Sequence, residues 1–126
     1  MNAPVESIAV PAIGAEWEGG IYAGLTLHDN TPMHLILLPG DEGGLTWKKA
    51  MAWAEKKGGV LPSRIDQLVL WQNQRDQFKD SWYWSGEHRS GGSACAWFQD
   101  FSYGYQTWLR KLSSYRARAV RRLPIQ

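Results

Sequence analysis

Apolar residues recur at helical spacing in one stretch of this chain, from Trp47 to Trp71, and that confinement limits the folds open to it. Trp47, Ala50, Met51 and Ala54 follow an i, i+3, i+4, i+7 pattern behind Thr46, a natural N-cap. A first helix is therefore expected to run to about Lys57 and stop at Gly58-Gly59. Ser63 with Asp66 three residues later is an acidic variant of the capping box and opens a second helix. Its expected apolar stripe is Ile65, Leu68, Val69 and Trp71 or Gln72. Before these helices, residues 22–27 and 34–38 read as two strands joined by the turn-forming residues 28–32, which makes an N-terminal β-hairpin. Residues 39–44, rich in Gly and acids, read as a turn. After residue 82 the runs WYWS, ACAWFQDF, YQTWL and RARAVRRL, separated by Gly and Ser clusters, read as three or four short antiparallel strands. Strand pair, two α-helices, then strands is an α+β order. Residues 1–20, with Pro4, Pro11, Gly14, Gly19 and Gly20, read as an irregular arm ahead of a single domain over 21–126.

A chain of 126 residues that is 44% apolar has material for one core and no room for a second domain. Eight tryptophans are a heavy load, and most are expected at core edges, with Trp84 and Trp97 as anchors inside. Residues 1–63 carry four basic and seven acidic groups, and residues 64–126 carry ten and five, an asymmetry that fits internal pairing as readily as an anionic partner. Cys95 is the single cysteine, which excludes an internal disulfide and fits a reducing compartment. Pro11 interrupts the early apolar run, no basic residue precedes it, and no segment approaches the ~20 apolar residues of a membrane span. The expected location is the cytoplasm of a cell, or a particle assembled there, and no membrane partner is expected.

No catalytic constellation stands out. His28 and His34 flank the hairpin turn and could face each other across it beside Asp29, but two imidazoles at that spacing match no metal-ligand signature, so no metal or other cofactor is expected. Cys95 reads as a small packed thiol, and period two places Cys95, Trp97 and Gln99 on one face of its strand and Ala96 and Phe98 on the other. The C-terminal basic segment, Arg110, Lys111, Arg116, Arg118, Arg121 and Arg122, interleaves with Trp108 and Tyr115 as a nucleic-acid platform would, although pairing inside the fold is the simpler use of such arginines. The chain is not expected to be an enzyme.

The ordered set Thr46-Trp47 with Ala50, Leu61-Pro62-Ser63 with Leu68, Tyr83-Trp84-Ser85, Ala96-Trp97 with Phe101 and Gly104, and Arg118-Ala119-Val120-Arg121 resembles the Lcl C-terminal domain family of bacteria and phages. That family is similar to the C-type lectin and formylglycine-generating-enzyme folds. The resemblance implies a C-type-lectin-like fold and a phage or prophage origin. It brings no chemistry, because the calcium-binding triplets, the paired disulfides and the second catalytic cysteine have no counterpart in this sequence.

These readings lead to a non-enzymatic protein-binding module that binds and inhibits a host protein, such as a component of antiviral defence. A phage receptor-binding or glycan-binding accessory protein, with a surface glycan as ligand, and a nucleic-acid binder using the C-terminal basic strands are the other readings. The expected partner-binding residues are Glu87, His88 and Arg89 on an outward loop over residues 87–93, with Trp82, Tyr103, Tyr105 and Trp108 beside it.

Overall fold

A computed structural model describes residues 9–91 and 93–126; the earlier part of the expected arm, residues 1–8, and Gly92 lie outside the described residues. The fold is mixed α+β, with two helices and nine strands among the described residues. A hairpin forms from β2 (Gly20–His28) and β3 (Thr31–Leu37). Its turn is the pair Asp29-Asn30 alone, with φ of 50° and 62°. A two-residue turn with both φ values positive matches the right-handed twist of the strands, and Asn and Asp tolerate that conformation best after Gly. The expected five-residue turn is thus too long: Thr31 pairs with His28 and Pro32 with Leu27.

The arm is not wholly irregular either, since β1 (Glu16–Trp17) pairs antiparallel with the start of β2. On the other side of the hairpin, β3 pairs with β9 (Val120–Pro124), so the first sheet runs β1-β2-β3-β9. The second sheet runs β4-β8-β5-β6-β7, formed by β4 (Glu42–Leu45), β5 (Trp82–His88), β6 (Cys95–Asp100), β7 (Gln106–Arg110) and β8 (Tyr115–Ala117). Two expectations fail here. The Gly-rich stretch expected as a turn contributes β4, which is held by pairing of Leu45 with Tyr115 and by the Trp84 indole N–H donating to the Leu45 carbonyl at 2.8 Å. The strands are also not all antiparallel, for Tyr83 of β5 and Arg116 of β8 form a parallel bridge. RARAVRRL supplies two strands in different sheets, split at Arg118-Ala119.

Helix α1 (Trp47–Lys56) starts at Thr46 as expected, although the Thr46 side chain makes no capping bond. Helix α2 (Arg64–Asn73) has the full capping box: Ser63 Oγ accepts from the Asp66 N–H at 3.0 Å and Asp66 accepts from the Ser63 N–H at 2.9 Å. Between them Val60 exchanges two backbone hydrogen bonds with Val120, at 2.9 and 2.8 Å. A Cβ on the neighbouring Gly59 would lie 2.3 Å from the Val120 carbonyl oxygen, so only Gly permits this approach.

The core divides on the alternation of β3. Ile36 faces one cluster with Trp84, Phe98, Ala50 and Ala54, while Leu35 and Leu37 face another with Leu70, Phe78, Tyr83 and Phe101. Trp84 is fully buried, as expected of an anchor; Trp97 is not, and the reason lies in the outer face of β6.

Candidate functional site

Helix α2 is turned from its expected orientation: Val69 and Trp71 of the expected stripe pack at the edge of the core, but its other apolar members do not. Its buried face carries Asp66, Gln67 and Leu70, continued by Gln74 after the last turn, while Ile65 is 45% and Leu68 51% exposed. This orientation holds because each buried polar side chain has at least one bonded partner on a strand, although Gln67 Oε1 is buried without one. Asp66 accepts from Thr26 Oγ1 at 2.5 Å and from the Arg122 guanidinium at 2.6 and 3.0 Å. Gln67 donates to the Tyr83 carbonyl at 3.1 Å and Asn73 to the Ala23 carbonyl at 2.8 Å. A buried polar group costs little once bonded, and these bonds fix the helix on both sheets at once. Two apolar side chains are left in water as the consequence.

Ile65, Leu68 and Arg64 share the solvent face, since positions three and four apart on a helix are neighbours. On the Ile65 side, Leu27, Met51 and Val60, all substantially exposed, join it around a groove of about 520 Å³. On the Arg64 side the surface continues onto the second sheet. Trp97 and Trp108 stand opposite each other on β6 and β7, with ring centres 5.0 Å apart in an edge-to-face arrangement. Arg64 lays its guanidinium 3.5 Å from the Trp97 ring centre, and Arg89 lays its own 4.2 Å from that of Trp108. Trp97 is therefore a half-buried surface residue under an arginine, whereas Ala96 and Phe98, on the other face of β6, fill the core.

The seven expected partner-binding residues do not form one surface. Glu87 and His88 belong to β5 and not to a loop. The Glu87 carboxylate accepts from the Arg64 N–H at 2.6 Å, where the start of α2 favours negative charge. His88 stacks on Trp47, on which Lys111 also sits at 4.6 Å. Trp82 packs on Phe98 and Tyr115, and Tyr105 lies edge-on to Phe98. Tyr103 is 86% exposed in the turn between β6 and β7. Of the seven, Glu87, Arg89 and Trp108 join the surface around α2, and of its other members Ile65, Leu68 and Trp97 are ones expected in the core, while Arg64 had no expected role. A second pattern in the sequence pointed to the true buried face: Asp66, Gln67, Leu70, Asn73 and Gln74 also recur at helical spacing.

The two hairpin histidines do not face each other. His34 pairs with Leu25, is buried, and hydrogen-bonds the Tyr22 hydroxyl through Nδ1 at 2.8 Å, while His28 sits at the hairpin end beside Asp29. Among the described residues, no three His, Cys, Asp or Glu side chains are grouped to hold a metal ion, and no helix is long and apolar enough to cross a membrane.

Four of the six basic residues near the C-terminus are engaged inside the fold. Arg116 donates to Asp41 at 2.7 Å, Arg122 to Asp66, Arg121 to the Glu18 carbonyl at 2.8 Å, and Arg118 to two backbone carbonyls. The Asp41 carboxylate also accepts from the Tyr83 hydroxyl at 2.5 Å. Burial, reinforced by this bond, pushes the Tyr83 hydroxyl up to about 12. The chain is thus a mixed α+β domain with an apolar helix face set beside a tryptophan and arginine ladder. No known family model and no curated protein matches its sequence.

Proposed function

We propose that this chain is a non-enzymatic protein-binding module whose contact surface centres on the solvent face of α2. The observation that carries the reading is the exposure of Ile65 and Leu68 on a helix whose polar side is buried and bonded. Exposed apolar side chains flanked by half-exposed tryptophans and arginines have the composition of an interface core with a polar rim. Arg64 and Arg89, stacked on Trp97 and Trp108, with Arg110 two residues along β7, give that side of the rim a positive sign, so the complementary partner is a protein with an apolar patch bordered by Asp and Glu. The ordered motifs from Thr46 to Arg121 support a C-type-lectin-like fold and a phage or prophage origin, and with them a host protein as target, a component of antiviral defence among the candidates.

Leu68→Asp tests the reading. Capture from nuclease-treated lysate of bacterial host cells by the wild-type chain should retain a protein that the variant loses, with the melting temperature of the variant within a few degrees of the wild type. Equal capture by both would end this assignment of the surface.

A second reading has its own support. Guanidinium groups stacked on Trp97 and Trp108 beside Arg110 and Lys111 are also a platform on which single-stranded nucleic acid could stack. Binding of a labelled oligonucleotide near physiological salt, lost on Trp108→Ala, would favour it.

A further inference from the structure

Beside the Arg118-Ala119 link, where the chain passes from the second sheet to the first, lies a groove of about 820 Å³. Trp17, Ile21 and Pro39 give it apolar walls, and Glu16, Glu18, Asp41 and Arg118 are its charged members. It is on a different part of the molecule from the α2 surface and shares none of that surface's residues.

Arg118 is 7% exposed. Its Nη1 donates to the Gln77 carbonyl at 2.6 Å and its Nη2 to the Leu38 carbonyl at 2.9 Å, while the buried Nε has no hydrogen-bond partner. Among the described residues no carboxylate forms an ion pair with it. Burial holds its pKa below the ordinary arginine value, and the nearby Asp41 carboxylate, which makes no ion pair with it, offsets this only in part. The neighbouring acids are already committed: Asp41 to Arg116 and the Tyr83 hydroxyl, and Glu18 to Arg121 at 3.8 Å. What remains is one cation, Arg118, set deep, and one anion, Glu16, exposed on the wall.

We propose that this groove binds a zwitterionic ligand of the α-amino-acid class with an apolar side chain. The carboxylate pairs with the Arg118 guanidinium, which lines the groove and is the preferred partner of a carboxylate. The ammonium group faces Glu16, and the side chain rests on Trp17, Ile21 and Pro39. The two uncommitted charges match the two charges of the ligand, and neither an anion nor a cation alone satisfies both.

Amide NMR titration of the full chain with L-leucine, N-acetyl-L-leucine and L-leucinamide, each to about 10 mM, tests this, because the second probe keeps only the carboxylate and the third only the ammonium. Leucine should move the signals of Gly19, Gly20 and Gly40, which line the groove, and each single-charge analogue should bind at least about tenfold more weakly. Glu16→Gln, at an exposed position, should weaken leucine about two- to fivefold and leave N-acetyl-leucine unaffected. Arg118→Lys, which keeps the charge but loses the planar fork, should weaken leucine at least about tenfold. Should that variant fail to fold, the wild-type probe series and Glu16→Gln still decide. No shift with leucine at the highest concentration, or leucinamide binding as tightly as leucine, overturns the site. N-acetyl-leucine binding as tightly as leucine removes Glu16 from it and overturns the zwitterionic class.

Discussion

Arg64, the first residue of α2, holds its guanidinium 3.5 Å from the ring centre of Trp97, which joins the helix start and the outer face of β6 into one surface. Trp97 and Trp84 should therefore respond differently to truncation. Trp84→Ala opens a cavity in the core and should cost about 3 to 5 kcal/mol. Trp97→Ala removes a half-buried ring and a cation–π contact and should cost about 1 to 2 kcal/mol. Urea denaturation of the two variants measures this. A Trp97→Ala protein as unstable as Trp84→Ala would return Trp97 to the core.

Asp66 joins three elements: the hairpin through Thr26, the last strand through Arg122, and its own helix through Ser63. It has no solvent exposure. Asp66→Ala should cost about 3 to 5 kcal/mol, because it strands a mostly buried guanidinium as well as losing the cap. The double variant Asp66→Ala with Arg122→Met should be more stable than Asp66→Ala alone, since it removes the uncompensated charge. If the second substitution brought no recovery in urea denaturation, Arg122 would have found water in the single variant and the pair would count for little.

The Tyr83 hydroxyl supplies a pH test. Its pKa is raised from about 10 to about 12, chiefly by burial and then by the bond it donates to Asp41. The folded state therefore keeps a proton that the unfolded state loses, and the stability present below pH 10 is lost as the pH rises toward 12. After discounting for screening, the loss should be about 1 to 2 kcal/mol. Tyr83→Phe should abolish that alkaline limb in denaturation curves taken across this window. An unchanged limb would assign it to other groups.

Local signals in the sequence reached most elements. The capping box at Ser63, the helix stop at Gly58-Gly59 and the Asp29-Asn30 turn involve residues within a few positions of one another, so their physics is visible in a short window. What failed depended on partners far along the chain. The buried face of α2 was decided by Thr26, Tyr83 and Arg122, which lie 40, 16 and 56 residues from their partners on the helix. Hydrophobic periodicity has no means of seeing a polar face that is made soluble in the core by remote donors and acceptors. β4 was missed for a related reason: its Gly-rich composition opposes a strand, and it persists through pairing with β8, whose Tyr115 lies 70 residues beyond Leu45. The expected binding residues were chosen for being aromatic or charged near a loop, a criterion that takes in Glu87, Arg89 and Trp108 of the proposed surface and has no means of selecting Leu68.

The contact surface should divide into an apolar centre and a charged rim with different signatures. Leu68 and Ile65 are uncharged and exposed, so Leu68→Asp should weaken partner binding at least about thirtyfold at every salt concentration, mostly through faster dissociation. Arg89 is at the rim, stacked on Trp108, and Arg89→Ala should act mainly on association, slowing it severalfold at low salt and little at high salt. Tyr103, in the turn between β6 and β7 that packs on Trp71 near the C-terminal end of α2, is outside the patch of Leu68, Ile65 and Arg64 and should be silent on substitution by Ala despite its exposure. Surface plasmon resonance against the captured partner, at low and at near-physiological salt, separates these outcomes. If Tyr103→Ala weakens binding while Leu68→Asp leaves it intact, the partner sits on the β6–β7 turn and the α2 surface is not its site. If the ligand is nucleic acid, Leu68→Asp should matter little, and Arg89→Ala should flatten the log–log salt dependence by about one unit, the response of a lost phosphate contact.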